Sequence, residues 1–143
     1  MKKGIIILFS EDEGKIDKHQ LAKIFNQKDV LLCYVNNGSK DSTLEVLKSV
    51  KEELEINTIS IIDIKKPIPT TAAVKAAARY LKSLGDVKCI LYFKSTKLAY
   101  FEDKKRQFET LKKIDNRFKD LIYLKKTGKN PQNIFSYKDV LSF

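Results

Sequence analysis

Two short unbroken apolar runs, Ile5–Phe9 and Val30–Val35, constrain what this chain can fold into more than any other feature. A strand with one wet face alternates apolar and polar residues, so uninterrupted runs of this length describe strands covered on both sides. Between them Leu21, Ile24 and Phe25 recur at helical spacing, which gives strand, helix, strand. The pattern continues. Leu44, Leu47, Val50 and Leu54 mark a second helix face, opened by a capping box of Ser42 and Glu45, and Ile59, Ile61 and Ile62 form a third strand. An Ala-rich helix from Ala72 to Leu84, with an apolar face of Ala73, Ala76, Ala77, Tyr80 and Leu84, stops at Gly85. Val87–Phe93 is a fourth strand. A charged helix from Glu102 to Lys119 is expected to bury Phe108, Leu111, Ile114 and Phe118, and Leu121–Leu124 reads as a fifth strand. After the loop Thr127–Pro131, Ser136 and Asp139 cap a last short helix.

This alternation predicts an α/β fold, doubly wound around a mostly parallel sheet, with right-handed crossovers. The 143 residues and 43% apolar content suit one domain, residues 1–143, with no internal repeat or linker. Ligands in such sheets bind outside the carboxyl ends of the strands, which directs attention to Ser10–Gly14, Asn36–Asp41, Asp63–Pro69 and Lys94–Lys97.

Several function classes fall away on composition. No apolar run approaches the roughly 18 residues of a membrane span, and Ile5–Phe9 is too short for the apolar region of a secretion signal, so a cytoplasmic location is expected. Cys33 and Cys89 both lie in apolar runs and read as free packed thiols. One histidine, His19, and no CxxC argue against zinc. Five scattered glycines make neither a Walker loop nor a dinucleotide fingerprint.

The turn after the second strand reads Asn36-Asn37-Gly38-Ser39-Lys40-Asp41-Ser42-Thr43. Gly38 permits a tight path, Ser39 and Asp41 can bond exposed backbone amides, and a strand-tip amide can hydrogen-bond a base or ribose. The same residues also serve as a plain strand-to-helix turn before a capped helix. In Asn36, Gly38, Ser39, Asp41 and Thr43 the chain resembles glycosyltransferase family 2, whose nucleotide-sugar domain has an Asp/Asn-Asp-Gly-Ser-x-Asp-x-Thr turn here. The resemblance extends over residues 3–96, through Glu11–Glu13 after the first strand and Leu84-Gly85-Asp86 before the fourth. It implies a Rossmann-like three-layer sandwich of the GT-A type and a nucleotide diphosphate or nucleotide-sugar partner. It also marks Asn36, Asn37, Gly38, Ser39, Asp41 and Lys94 as nucleotide-binding candidates.

Three departures shape the functional expectation. Asn37 stands where the family carries a nucleotide-contacting carboxylate, and Lys94-Ser95-Thr96 stands where an Asp-x-Asp motif should hold a divalent metal. Hard cations need charged oxygen ligands, so no metal or other cofactor is expected, and Lys94 either neutralises a diphosphate itself or is a solvated lysine. Only 47 residues follow Thr96, which leaves little room for an acceptor site, and Glu102-Asp103 opens a lysine-rich helix rather than supplying a catalytic base. The resemblance therefore implies a degenerate or minimal family member that binds a nucleotide without metal-dependent transfer.

The charge distribution supports a different reading beside it. Residues 1–71 carry 11 basic and 11 acidic side chains, whereas residues 72–143 carry 17 and 7, so the net charge of +10 belongs to the second half. Lys105, Lys112 and Lys119 recur every seven residues as one helical stripe. On this alternative the chain is a noncatalytic module that docks the stripe on an acidic partner, nucleic acid or membrane.

Overall fold

The computed structural model describes residues 2–11, 14–54, 59–128 and 133–137. Its first half runs β1 (Lys2–Phe9), α1 (Lys18–Lys23), β2 (Val30–Asn37), α2 (Thr43–Leu54) and β3 (Ile59–Ile64). Then follow α3 (Thr70–Ser83), β4 (Val87–Lys94), a 3-10 segment (Ser95–Phe101), α4 (Lys104–Lys126) and β5 (Ile134–Ser136). The described strands pair in the order β3-β2-β1-β4-β5, all parallel, in a Rossmann-like three-layer α/β arrangement.

β1 lies in the middle because it is apolar on both faces. Ile5, Ile7 and Phe9 point into one core with Leu32, Tyr34 and Phe93, and Ile6 and Leu8 point into the other with Cys33, Val35 and Ile90. The first core is closed by α1, α2, α4 and the 3-10 segment, the second by α3. Both cysteines are buried free thiols, as expected, and burial pushes Cys33 up to about 12 and Cys89 to about 11.

Three expectations are corrected. α3 buries Ala73, Val74, Ala77, Ala78 and Leu81, while Ala76 is exposed and Tyr80 and Leu84 are 43% and 49% exposed. The buried stripe is rotated toward the small residues, which let the helix lie close to the sheet. α4 continues through Leu121–Leu124, which is therefore helix and not a strand; with no Gly or Pro before Gly128, nothing interrupts it. It buries Gln107, Thr110, Leu111, Ile114 and Leu121, leaves Phe118 half-buried, and exposes Phe108. The fifth strand is Ile134–Ser136 instead, and the chain turns helical at Tyr137, so Ser136 stands at the junction where the last helix was expected to begin, while Asp139 lies outside the described residues.

The third correction concerns handedness. α1 and α2 carry the chain from β1 toward β3 over one face, and α4 covers that same face while moving the opposite way, from β4 to β5. The last crossover therefore has the opposite hand to the first two, and uniform right-handedness does not hold. The 3-10 segment makes this possible: it turns the chain from the β4 tip toward α1, with Phe101 fully buried against Phe25 and Phe93.

α4 is pinned at the far edge by a buried lysine. Lys3 is 5% exposed, and its Nζ meets Asp29 Oδ2 at 2.5 Å and Asp115 Oδ1 of α4 at 3.2 Å. Burial alone would push Lys3 down, but the two carboxylates outweigh it and its pKa is raised, while the Lys3 hydrogen bond holds Asp29 below its usual range. The Asp29 contribution is present above its ordinary pKa and lost as pH falls through the folded value; the Lys3 contribution is lost only as pH rises through its raised value. Asp29→Ala with Asp115→Ala strands a buried ammonium and is expected to cost about 3 kcal/mol at neutral pH, whereas Lys3→Met is near neutral. Urea denaturation measures both, and the double-variant deficit should shrink below the carboxylate range; equal costs for the two variants would contradict this account.

Candidate functional site

The register gathers polar strand tips at one edge: Phe9 pairs with Asn36, Asn36 with Asp63, and Leu8 with Lys94. The first two polar tips are tied together. Asn36, buried, donates from Nδ2 to Asp63 Oδ1 at 3.0 Å and accepts from the Ser39 hydroxyl. Ser39 Oγ in turn accepts from the Glu11 amide at 3.1 Å, and Glu11 Oε1 accepts from the Lys40 amide at 2.7 Å. The loops after β1 and β2 are thus cross-linked. Asp63 also pairs with Lys65, and that ammonium, with Asn36, holds its carboxyl below the usual range.

Asn37 behaves as a peptide mimic. Its Nδ2 donates to the Ile68 carbonyl at 2.9 Å and its Oδ1 accepts from the Ile68 amide at 3.0 Å, so both ends of the amide hold the loop that leads into α3. Gly38 follows with φ of 70°, and its amide donates to the Ile64 carbonyl at 2.8 Å. A Cβ there would lie 2.3 Å from the Pro67 nitrogen, so the two loops touch backbone to backbone. Asp41 Oδ1 accepts from the Thr43 amide at 3.0 Å and from the Thr43 hydroxyl, which fixes the start of α2.

Lys94 stands on the other side of β1 and is exposed. It lines a cavity of about 280 Å³ with Thr70, Tyr92, Thr96, Lys97, Ser136 and Tyr137. The lining holds two lysines and no acid, and Lys97 Nζ lies 5.2 Å from the Tyr137 ring centre. Thr70 is the first residue of α3, whose cap residue Pro69 offers no side-chain cap and whose first turn has no acid, so the positive end of the helix faces this cavity without an internal counter-charge. A hollow of about 200 Å³, lined by Phe9, Lys15, Ile16, Gln20, Ser95 and Leu98, adjoins at Thr96, in the crevice between β1 and β4 where the strand order reverses.

The candidates named from sequence therefore fall into two groups. Asn36, Asn37, Gly38, Ser39 and Asp41 form one turn, whose polar groups are largely engaged by Asp63, Ile68, Glu11 and α2, and Lys94 opens a separate cavity. Glu102 accepts from Gln20 Nε2 at 2.9 Å and Asp103 caps α4 through the Lys105 amide at 2.9 Å. His19 is exposed on α1. Lys97 lies in the Lys94–Lys97 segment that the sequence singles out, whereas Thr70 and Tyr137 were missed and Ser136 was read only as a helix cap; the one available signal was Pro69-Thr70-Thr71, a helix start without an acid. The β4 tip offers a lysine and two hydroxyls, a donor set that does not suit a divalent cation, and no group of three or more metal-binding side chains occurs among the described residues.

Among solved structures, the crystal structure of S. aureus TarS 1-349 is similar to this chain, at 18% identity and a TM-score of 0.55, over 82% of this chain and 33% of that one. The chain spans about a third of the length of that structure, and the likeness is one of fold alone: a parallel sheet layered between helices. No protein-family model matches the chain, and no curated protein does.

Asn37→Asp, which installs the carboxylate of the resembled turn, is expected to lower stability by about 2 kcal/mol, because the Ile68 carbonyl loses its donor and faces a charge. Gly38→Ala is expected to cost about 3 kcal/mol or more, from positive φ and the contact with Pro67. Denaturation midpoints read both; an unchanged midpoint for Asn37→Asp would refute the clamp on Ile68.

Proposed function

We propose that this chain binds a nucleoside diphosphate, free or as a nucleotide-sugar, at the carboxyl edge of its sheet, as a minimal relative of family 2 glycosyltransferases without metal-dependent transfer. The observation that carries the reading is the make-up of the Lys94 cavity: two ammonium groups, the hydroxyls of Thr70, Ser136 and Tyr137, and the amino end of α3, with no carboxylate in the lining. Phosphate oxygens are what such a set attracts. Lys94 and Lys97 supply the charge that a divalent ion would otherwise bring, as point charges on flexible stems.

A volume of about 280 Å³ is at the small end for ligand sites and matches the phosphates better than a whole nucleotide. The nucleoside extends past Thr96 into the hollow by Phe9 and Ile16, with Ser95 in its lining. On this reading the Asn36–Asp41 turn and its clamp on Ile68 position the loop that starts α3, and contact the nucleotide at most by an outer edge.

Uridine or guanosine diphosphate at saturating millimolar concentration is expected to raise the melting temperature by about 5 °C. Chelation of divalent cations should leave the rise intact, and Lys94→Ala with Lys97→Ala should abolish it. Asp41→Ala should lower the melting temperature itself while preserving the rise. The absence of a rise with any nucleoside diphosphate would overturn the proposal.

A further inference from the structure

α4 presents to solvent the lysine stripe that the sequence periodicity predicts, extended by residues that periodicity did not assign to it. Residues three or four apart on a helix share a face, and Lys105, Phe108, Lys112, Asn116, Lys119, Tyr123 and Lys126 follow that spacing along the side opposite the buried Leu111, Ile114 and Leu121. All seven are exposed, Phe108 at 64% and Tyr123 at 68%, with Ile122 beside Tyr123 at 41%. Among the described residues, none of these four lysines is in a salt bridge. The helix as a whole carries nine Lys and Arg against three acids, of which Asp115 is already engaged by Lys3, while Glu109, between Lys105 and Lys112, and Asp120, three before Tyr123, border the stripe along one edge.

The stripe is about 30 Å long at the helical rise, and its two rings are about 22 Å apart. We propose that the outward face of α4 docks the protein on an anionic lipid bilayer. The lysines meet headgroup phosphates while Phe108, Ile122 and Tyr123 enter the interfacial layer. Charge complementarity selects an anionic occupant and disfavours a second copy of the chain, which would set lysine against lysine. Within that class the chemistry favours lipid. The cations of the stripe are all lysine, a hydrated point charge suited to a diffuse charged surface, where arginine would give the bidentate contacts typical of nucleic-acid recognition. A convex helix offers no groove to track a single strand, and two isolated rings make no stacking platform. Aromatics between lysines on one helical face do fit a membrane interface, where the stems lie along the apolar layer and the ammonium groups reach the headgroups. No helix among the described residues is long and apolar enough to cross a membrane, and the buried side of α4 stays in the core, so the contact is peripheral.

Cosedimentation of the full chain with vesicles tests this. Binding is expected to phosphatidylcholine mixed with phosphatidylglycerol and not to phosphatidylcholine alone. Lys105→Gln, Lys112→Gln and Lys119→Gln together should lower partitioning about 100-fold, and Phe108→Ser with Tyr123→Ser about 10-fold. The chain contains no tryptophan, so Tyr123→Trp is a single-site reporter whose emission should shift to the blue only with the anionic vesicles. No binding at low salt, no blue shift, or full binding by the serine pair would overturn the proposal. So would tighter binding to an oligonucleotide than to the anionic vesicles.

Discussion

Strand β1 is shielded from water on both sides, with Ile5, Ile7 and Phe9 under one set of helices and Ile6 and Leu8 under α3. A strand so placed cannot be an edge, and its neighbours β2 and β4 must both run parallel to it, since each is reached through a helix that closes one of its faces. The polar tips of all three strands then fall on one side of the sheet. The strand order also reverses beside β1, between it and β4, so a crevice opens there without any residue being selected for it. The position of the Lys94 cavity is thus a consequence of how β1 is buried.

What surrounds that crevice is unequal on its two sides. On the β2 side the hydrogen bonds are mutual and nearly closed: Asn36 with Asp63 and Ser39, Asn37 with Ile68, Glu11 with Lys40. On the β4 side the side chains are cationic and hydroxylic, and the start of α3 adds the positive end of a helix dipole. On the function proposed above, the hydrogen-bonded β2 side fixes the loop before α3 and the lysines of the β4 side supply the charge that would hold an anion. The amide at Asn37 belongs to the same logic. An amide both donates to and accepts from the Ile68 peptide, whereas a carboxylate only accepts, so charge at that strand tip and this loop anchor exclude one another.

The alternating strands and helices up to β4 were legible because each apolar run has the length and continuity of a doubly covered strand. The turn Asn36–Asp41 was legible as a turn, but its side chains were expected to face a ligand when they mostly face Asp63, Ile68 and Glu11. Sequence spacing does not reveal which partners the tertiary fold brings near. The later errors share one cause. Ala76, Tyr80 and Leu84 of α3, and Phe108 of α4, are apolar and suitably spaced for burial, yet the faces that pack are those with small residues or with Leu111 and Ile114. Leu121–Leu124 resembled a strand because four apolar residues in a row carry no period of their own. Reading it as helix is what puts Tyr123 on the same line as Phe108.

That realignment divides the positive charge of the second half into two physically different sets. Lys94 and Lys97 border a concave cavity at the sheet edge, where low-dielectric walls and the α3 terminus concentrate the field on a small volume. Lys105, Lys112, Lys119 and Lys126 lie along an open convex face, where each side chain is exposed. For the docking proposed above, attraction at the second set decays over about 10 Å at ordinary ionic strength and needs the contact of Phe108 and Tyr123 to persist; Lys94 and Lys97 are exposed as well, and the site proposed there depends on hydrogen-bond geometry. The two sets are joined by the 3-10 segment Ser95–Phe101, whose buried Phe101 fixes where β4 ends and α4 begins. One apolar anchor therefore sets the spacing between the site proposed for a small anion and the face proposed for an extended anionic surface.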